Sequence, residues 1–164
     1  MTAPAPEVLL TMPARPEGVG VVRQALAGMA DALDFDPTVL ADMKMAVTEA
    51  CTNVVVHAYD EDAGMLEVEM LADENGLTIV VRDHGAGIQP RPARSEPPAL
   101  GLGLPLIAAL SDAFELKGSA GQGTEVRMTF SYSRSVDPGG GSGPLRGNIG
   151  ADGRWDPDDE DDAP

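Results

Sequence analysis

With 164 residues, 43% hydrophobic side chains and a formal net charge of −16 at pH 7, the chain suits one domain with a real core. It offers no basic stripe for nucleic acid or an anionic membrane, so neither is expected as a direct partner. The single cysteine, Cys51, excludes an internal disulfide and a cysteine-built zinc site, and Met1 to Pro6 lacks the basic start and apolar run of a secretion signal. No stretch is long enough to span a bilayer, and a cytoplasmic protein is expected.

Residues 1–6 read as a flexible lead, 7–133 as the folded domain. Val8, Leu10 and Met12 alternate at period two, which predicts a short strand ending at Pro13. Val19, Val22, Leu26, Met29 and Leu33 keep helical spacing, with Arg23 on the solvent side. Asp36-Pro37 is a strong helix start, and a central helix is predicted from there to about His57, with Leu40, Met43, Val47, Ala50 or Cys51, and Val54 facing inward. Glu49 and Asn53 stand one turn apart on another face of that helix, among small neighbours, where both side chains reach one small bound object. From that helix alone, a surface Glu with an incidental Asn is an equal reading.

Met65 to Leu71 and Leu77 to Arg82 predict two strands joined at Asn75-Gly76, a hairpin signal. The second strand runs into Asp83-His84-Gly85-Ala86-Gly87-Ile88, two glycines closely following an acid. Prolines 90, 92, 97 and 98 make Gln89 to Ala99 a long loop of the kind that forms lids. Gly101-Leu102-Gly103-Leu104-Pro105 then leads into a helix, since Pro105 is tolerated only in a first turn; glycines at a helix start present free amides suited to phosphate. Ala113 to Lys117 and Glu125 to Tyr132 predict the last strands, with Thr124 at the mouth of the second and Val126, Met128 and Phe130 facing in. Residues 134–164, a Gly/Pro-rich run and a terminus with seven acids against Arg154, hold too little apolar surface to fold and are expected to be disordered.

Rival nucleotide folds fail on specifics. Gly101 follows a Pro-rich loop and no third glycine falls three residues after Gly103, against a dinucleotide fold; no Gly-Lys-Ser or Gly-Lys-Thr occurs, against a P-loop. His57 and His84 lack partners at metal spacing and read as local hydrogen-bonding residues.

The ordered set of Glu49 with Asn53, Asp83 with Gly85 and Gly87, Gly101 with Gly103, and Gly123-Thr124 resembles the Bergerat ATP-binding fold of the GHKL superfamily over residues 7–132. Thr48-Glu49-Ala50-Cys51-Thr52-Asn53-Val54 and the strand-helix-helix opening are similar to the bacterial anti-sigma-factor serine/threonine kinases. The fold class expected is an α/β (α+β) two-layer sandwich, a mixed, mostly antiparallel sheet with helices on one face. The resemblance implies a kinase that uses ATP and magnesium, sequesters a sigma factor and phosphorylates a serine of an anti-sigma factor antagonist. It implies Glu49 as catalytic base, Asn53 as magnesium ligand, and Asp83 as acceptor for the adenine amino group. By the same likeness Gly85 and Gly87 turn beside the base, Ile88 packs on it, Gly101, Leu102 and Gly103 offer amides to phosphate, and Thr124 supports the adenine site. Arg23 matches a first-helix arginine used toward protein partners, and homodimerisation through the N-terminal region is implied as well. Ala99 and Leu100 stand where such kinases commonly carry a basic lid residue, with Arg91 and Arg94 further back. A noncatalytic ATP-binding module that switches a partner by occupancy is the alternative.

Overall fold

Val8, Leu10 and Met12 are the buried-side residues of an edge strand, β1 (Val8–Pro13), which pairs antiparallel with β2 (Met65–Ala72). The computed structural model describes residues 8–59, 64–87, 103–132, 148–149 and 155–156. The chain forms two units, Met1–Arg134 and Ser135–Pro164. In the first, β3 (Gly76–Asp83), β4 (Ala113–Gly118) and β5 (Thr124–Ser131) complete a five-stranded sheet of order β1-β2-β3-β5-β4. Every pairing in that sheet is antiparallel, which narrows the mixed, mostly antiparallel expectation.

Strand alternation and register make one face apolar: Val68 lies opposite Val81, and Val81 opposite Val126; Met70, Ile79 and Met128 form the next row. These residues share one core with the inward stripes of α1 (Pro16–Ala32), α2 (Pro37–Asn53) and α3 (Gly103–Leu110), so the helices cover a single face. The stripe of α1 is Gly18, Val22, Leu26 and Ala30, with the predicted Val19, Met29 and Leu33 half-buried at its margins. It ends at Asp34, whose φ of 56° is the left-handed stop that follows many helices, with the Phe35 N–H returning to the Ala30 carbonyl.

Asp36 caps α2 by accepting the Thr38 N–H at 2.7 Å, with Pro37 in the first position; that hydrogen bond holds the Asp36 carboxyl below its ordinary value. Val39 rather than Leu40 opens the buried stripe, followed by Met43, Ala46, Val47, Ala50 and Cys51. The β2–β3 turn is held by Asp73, whose Oδ1 accepts the N–H groups of Asn75 and Gly76. Gly76 is required there by close approach, since a Cβ would overlap the Phe130 carbonyl of β5.

In the second unit, where no regular structure is expected from sequence, β6 (Asn148–Ile149) pairs with β7 (Trp155–Asp156). The lead before Val8, the long loop from Gln89 to Ala99 and the rest of the tail lie outside the described residues. Among the described residues no helix is long and apolar enough to cross a membrane.

Candidate functional site

The central helix changes its winding directly after Asn53. Residues Val54–Ala58 form a π turn, and the Val54 N–H reaches both the Ala50 and Cys51 carbonyls. Three successive β-branched valines, which crowd the preceding turn of a regular α-helix, occupy this stretch, so the helix predicted to run unbroken to His57 is α-helical only to Asn53. Upstream, Glu49 and Asn53 are half-buried and face the first residue of α3. A Cβ built on Gly103 would stand 3.4 Å from Asn53 Nδ2, 3.5 Å from Glu49 Oε2 and 3.6 Å from Asn53 Oδ1. Glycine leaves that space open between a helix start and two oxygen-bearing side chains.

The π turn carries the chain to the second half of the site. Asp83, at the end of β3, is 5% exposed, and its Oδ1 accepts the Gly85 N–H at 2.9 Å. The Ala86 N–H donates to the Ala58 carbonyl at 2.9 Å, and the His84 N–H to the Tyr59 hydroxyl at 3.0 Å. Three consecutive amides thus hold three different anchors. Gly85 lies so close to Ala58 that a Cβ would overlap its carbonyl oxygen, while Gly87 takes a φ of 69° beside the Ser119 carbonyl. Thr124 sits directly opposite Asp83 in the β3–β5 ladder, and the preceding Gly123, at φ 79°, passes against the Asp83 carbonyl. Among the described residues, nothing else takes the second oxygen of Asp83. A buried carboxylate with one oxygen in use is suited to accept a hydrogen bond from a ligand amino group.

The structure therefore gathers Glu49, Asn53 and Gly103 in one cluster, and Asp83, Gly85, Gly87 and Thr124 in another, joined by the turn from Asn53 to Tyr59. Ile88, Gly101 and Leu102 lie outside the described residues. Arg23 is elsewhere, exposed on α1, where with Gly20, Gln24, Ala27 and Lys44 it lines a shallow cavity of roughly 190 Å³. A larger cleft of roughly 400 Å³ touches Asp83, His84 and Thr124, but its other wall is Arg82, Lys117 and Glu125, which alternate onto the open face of the sheet. Neither Glu49 nor Asn53 lines it, so it is not the space between the two clusters.

That open face holds a charge network beyond the residues picked out from sequence. Arg82 pairs with Glu67 at 3.0 Å, Glu69 at 2.8 Å and Glu125 at 2.7 Å. The Glu69 contact, with those to Glu125 and Glu67, pushes the Arg82 guanidinium further up, and Arg82 in turn holds the Glu125 carboxyl below its ordinary value. Period-two spacing puts all four on the polar face, a signal present in the sequence; the register that joins them is not. Tyr59 was likewise missed, because its role depends on contacts with Met65 and His84. Cys51 is fully buried and its thiol is pushed up to about 12 by burial, which removes it as a nucleophile. No cluster of three or more His, Cys, Asp or Glu fit to hold a metal occurs among the described residues.

An antiparallel sheet with its helices on one face, an acidic and amide pair on the central helix, and a glycine-bounded aspartate at a strand end define an ATPase-type nucleotide fold. The chain belongs to the histidine kinase-like ATPase domain family, whose profile matches residues 12–130. Within it, the serine-protein kinase RsbW of Bacillus cereus (strain AH820) is 35% identical over 135 residues, covering 75% of this chain and 83% of that protein. RsbW of Bacillus thuringiensis (strain Al Hakam) matches to the same extent, 35% over 135 residues. A crystal structure of the RsbU and RsbW domains of a Mycobacterium tuberculosis protein superposes with a TM-score of 0.60 at 26% identity, over 79% of this chain. This chain spans only 32% of that longer one.

Proposed function

We propose that the chain is an ATP-dependent protein serine kinase and anti-sigma factor, one that binds a sigma factor and phosphorylates a serine of an anti-sigma factor antagonist. The observation that carries this reading is the seating of Gly103 at the start of α3 against Glu49 and Asn53, an open cradle a Cβ would fill. Membership of the ATPase family and likeness to RsbW kinases support the same conclusion.

The residues present fit Mg-ATP. Asn53 offers a neutral oxygen to a hard cation without adding negative charge, and the start of α3, where free amides suit phosphate, lies beside it. When bound, Mg-ATP supplies the phosphoryl group and neutralises charge on its own oxygens. Asp83 accepts the adenine amino hydrogen through its second oxygen, which selects against guanine, whose carbonyl there has no proton to give. Gly85 and Gly87 lie beside the base and Thr124 supports the adenine site; the family likeness assigns Ile88 to the base and Gly101 and Leu102, with Gly103, to the phosphates. Glu49 takes the proton of the attacking serine hydroxyl as that oxygen forms its bond to phosphorus and ADP departs. Arg23, exposed on α1 beside the half-buried Lys44, serves as a contact for the protein partner. The protein acts in the cytoplasm, and β1, an edge strand of the sheet among the described residues, lies in the N-terminal region through which a second copy would pair.

Calorimetric titration with ATP and GTP, with and without magnesium, tests the reading. Magnesium-dependent binding of ATP over GTP is expected; absence of ATP binding would overturn it.

A further inference from the structure

Tyr59 has no part in the roles above, yet its side chain fastens three segments. Its hydroxyl donates to the Met65 carbonyl at 2.6 Å, at the start of β2, and accepts the His84 N–H at 3.0 Å, at the end of β3. Its ring lies against Gly64 so closely that a Cβ there would overlap it. The residue before it, Ala58, accepts the Ala86 N–H and leaves no room for a side chain at Gly85. Two adjacent residues at the end of the π turn therefore grip the turn after β3 on both sides of Gly85, whose own amide is bound to Asp83.

We propose that Tyr59 is a positioning residue for nucleotide recognition: through His84 it fixes the turn that aims the Asp83 carboxylate, and so sets affinity for the base and not for the phosphates. The proposal rests on the kinase reading above. Met65 holds the hydroxyl proton, which orients a lone pair toward His84, so the two hydrogen bonds act as one strut between the helix end and the strand end. The strut's two hydrogen bonds run to Met65 and His84, and not to the phosphate-side residues Glu49 and Asn53.

The test compares the full chain with Tyr59→Phe, which keeps the ring over Gly64 and removes only the hydroxyl. Affinities for Mg-ATP and for magnesium tripolyphosphate, which has no base, are measured by calorimetry, together with KM and kcat for ATP. The expected result is a Kd and KM for ATP raised about tenfold, with tripolyphosphate affinity and kcat within about twofold of the parent. Unchanged ATP affinity in the variant, or equal losses for ATP and tripolyphosphate, would overturn the role of Tyr59 while leaving the kinase reading in place. Failure of the parent chain to bind ATP would overturn both. A measurement on the parent alone guards against a variant that does not fold: the His84 amide should exchange its hydrogen slowly, and rapid exchange there would remove the strut.

Discussion

Gly103 begins α3 directly over Glu49: a Cβ on the glycine would lie 3.5 Å from the carboxylate Oε2, and Asn53 flanks the same point. The space at the helix start is thus defined by what glycine lacks. Gly103→Val adds two methyl groups beyond that Cβ, toward Glu49 and Asn53. The variant should stay folded by circular dichroism and lose at least about tenfold in ATP affinity, a change near 1.4 kcal/mol. ATP affinity equal to the parent's in calorimetry would mean the cradle is not used.

Glu49 and Asn53 separate chemistry from binding. Glu49→Gln keeps the side chain's size and removes its basicity, so ATP affinity should hold while phosphoryl transfer falls by about a hundredfold or more. Asn53→Ala should remove the magnesium dependence of ATP binding. Steady-state transfer rates and calorimetry with and without magnesium distinguish the two outcomes.

The Arg82 network predicts a pH-dependent contribution to stability. Arg82→Met leaves Glu67, Glu69 and Glu125 without the cation they share, Glu125 keeping only its longer contacts to Arg127 at 3.9 Å and Lys117 at 4.0 Å, and should cost about 1–2 kcal/mol at pH 7. Arg82 lowers the Glu125 carboxyl below its ordinary 4.5, so the native state favours the ionised form. The stabilisation is complete above that ordinary value and is lost as pH falls through the lowered one. Urea unfolding midpoints of parent and variant should therefore differ at pH 7 and converge in acid; a gap that stays constant would contradict the pairing.

Cys51 should behave as an inert core atom. With its thiol pushed up to about 12 and no exposure, a disulfide reagent at pH 8 should label it only as fast as the chain unfolds. Rapid labelling of the native protein would show the central helix to be more open than its packing indicates.

Much of this architecture is legible in the chain because its signals are local. Asp36-Pro37 starts a helix by capping chemistry alone, alternation at Val8, Leu10 and Met12 marks a strand, and Pro105 forces the glycines before it to a helix start. The hairpin at residues 73–76 was legible too, although its Gly76 serves a close approach to Phe130 and not the left-handed turn that Asn-Gly usually signals. What could not be read is set by tertiary register. The sheet's uniform antiparallel pairing, the joining of Arg82 to three acids and the bond from Tyr59 to His84 each link residues distant in sequence. The π turn after Asn53 falls between these cases: the valine run is visible, but the contact of Ala58 with the turn at Gly85 is not.

The most direct test of the central claim is transfer of label from γ-labelled ATP to an anti-sigma factor antagonist, with the parent chain and Glu49→Gln side by side. Label on a serine of the antagonist, present with the parent and nearly absent with the variant, is the predicted result. ATP bound without any transfer, or transfer undiminished by the loss of the Glu49 carboxylate, would contradict it.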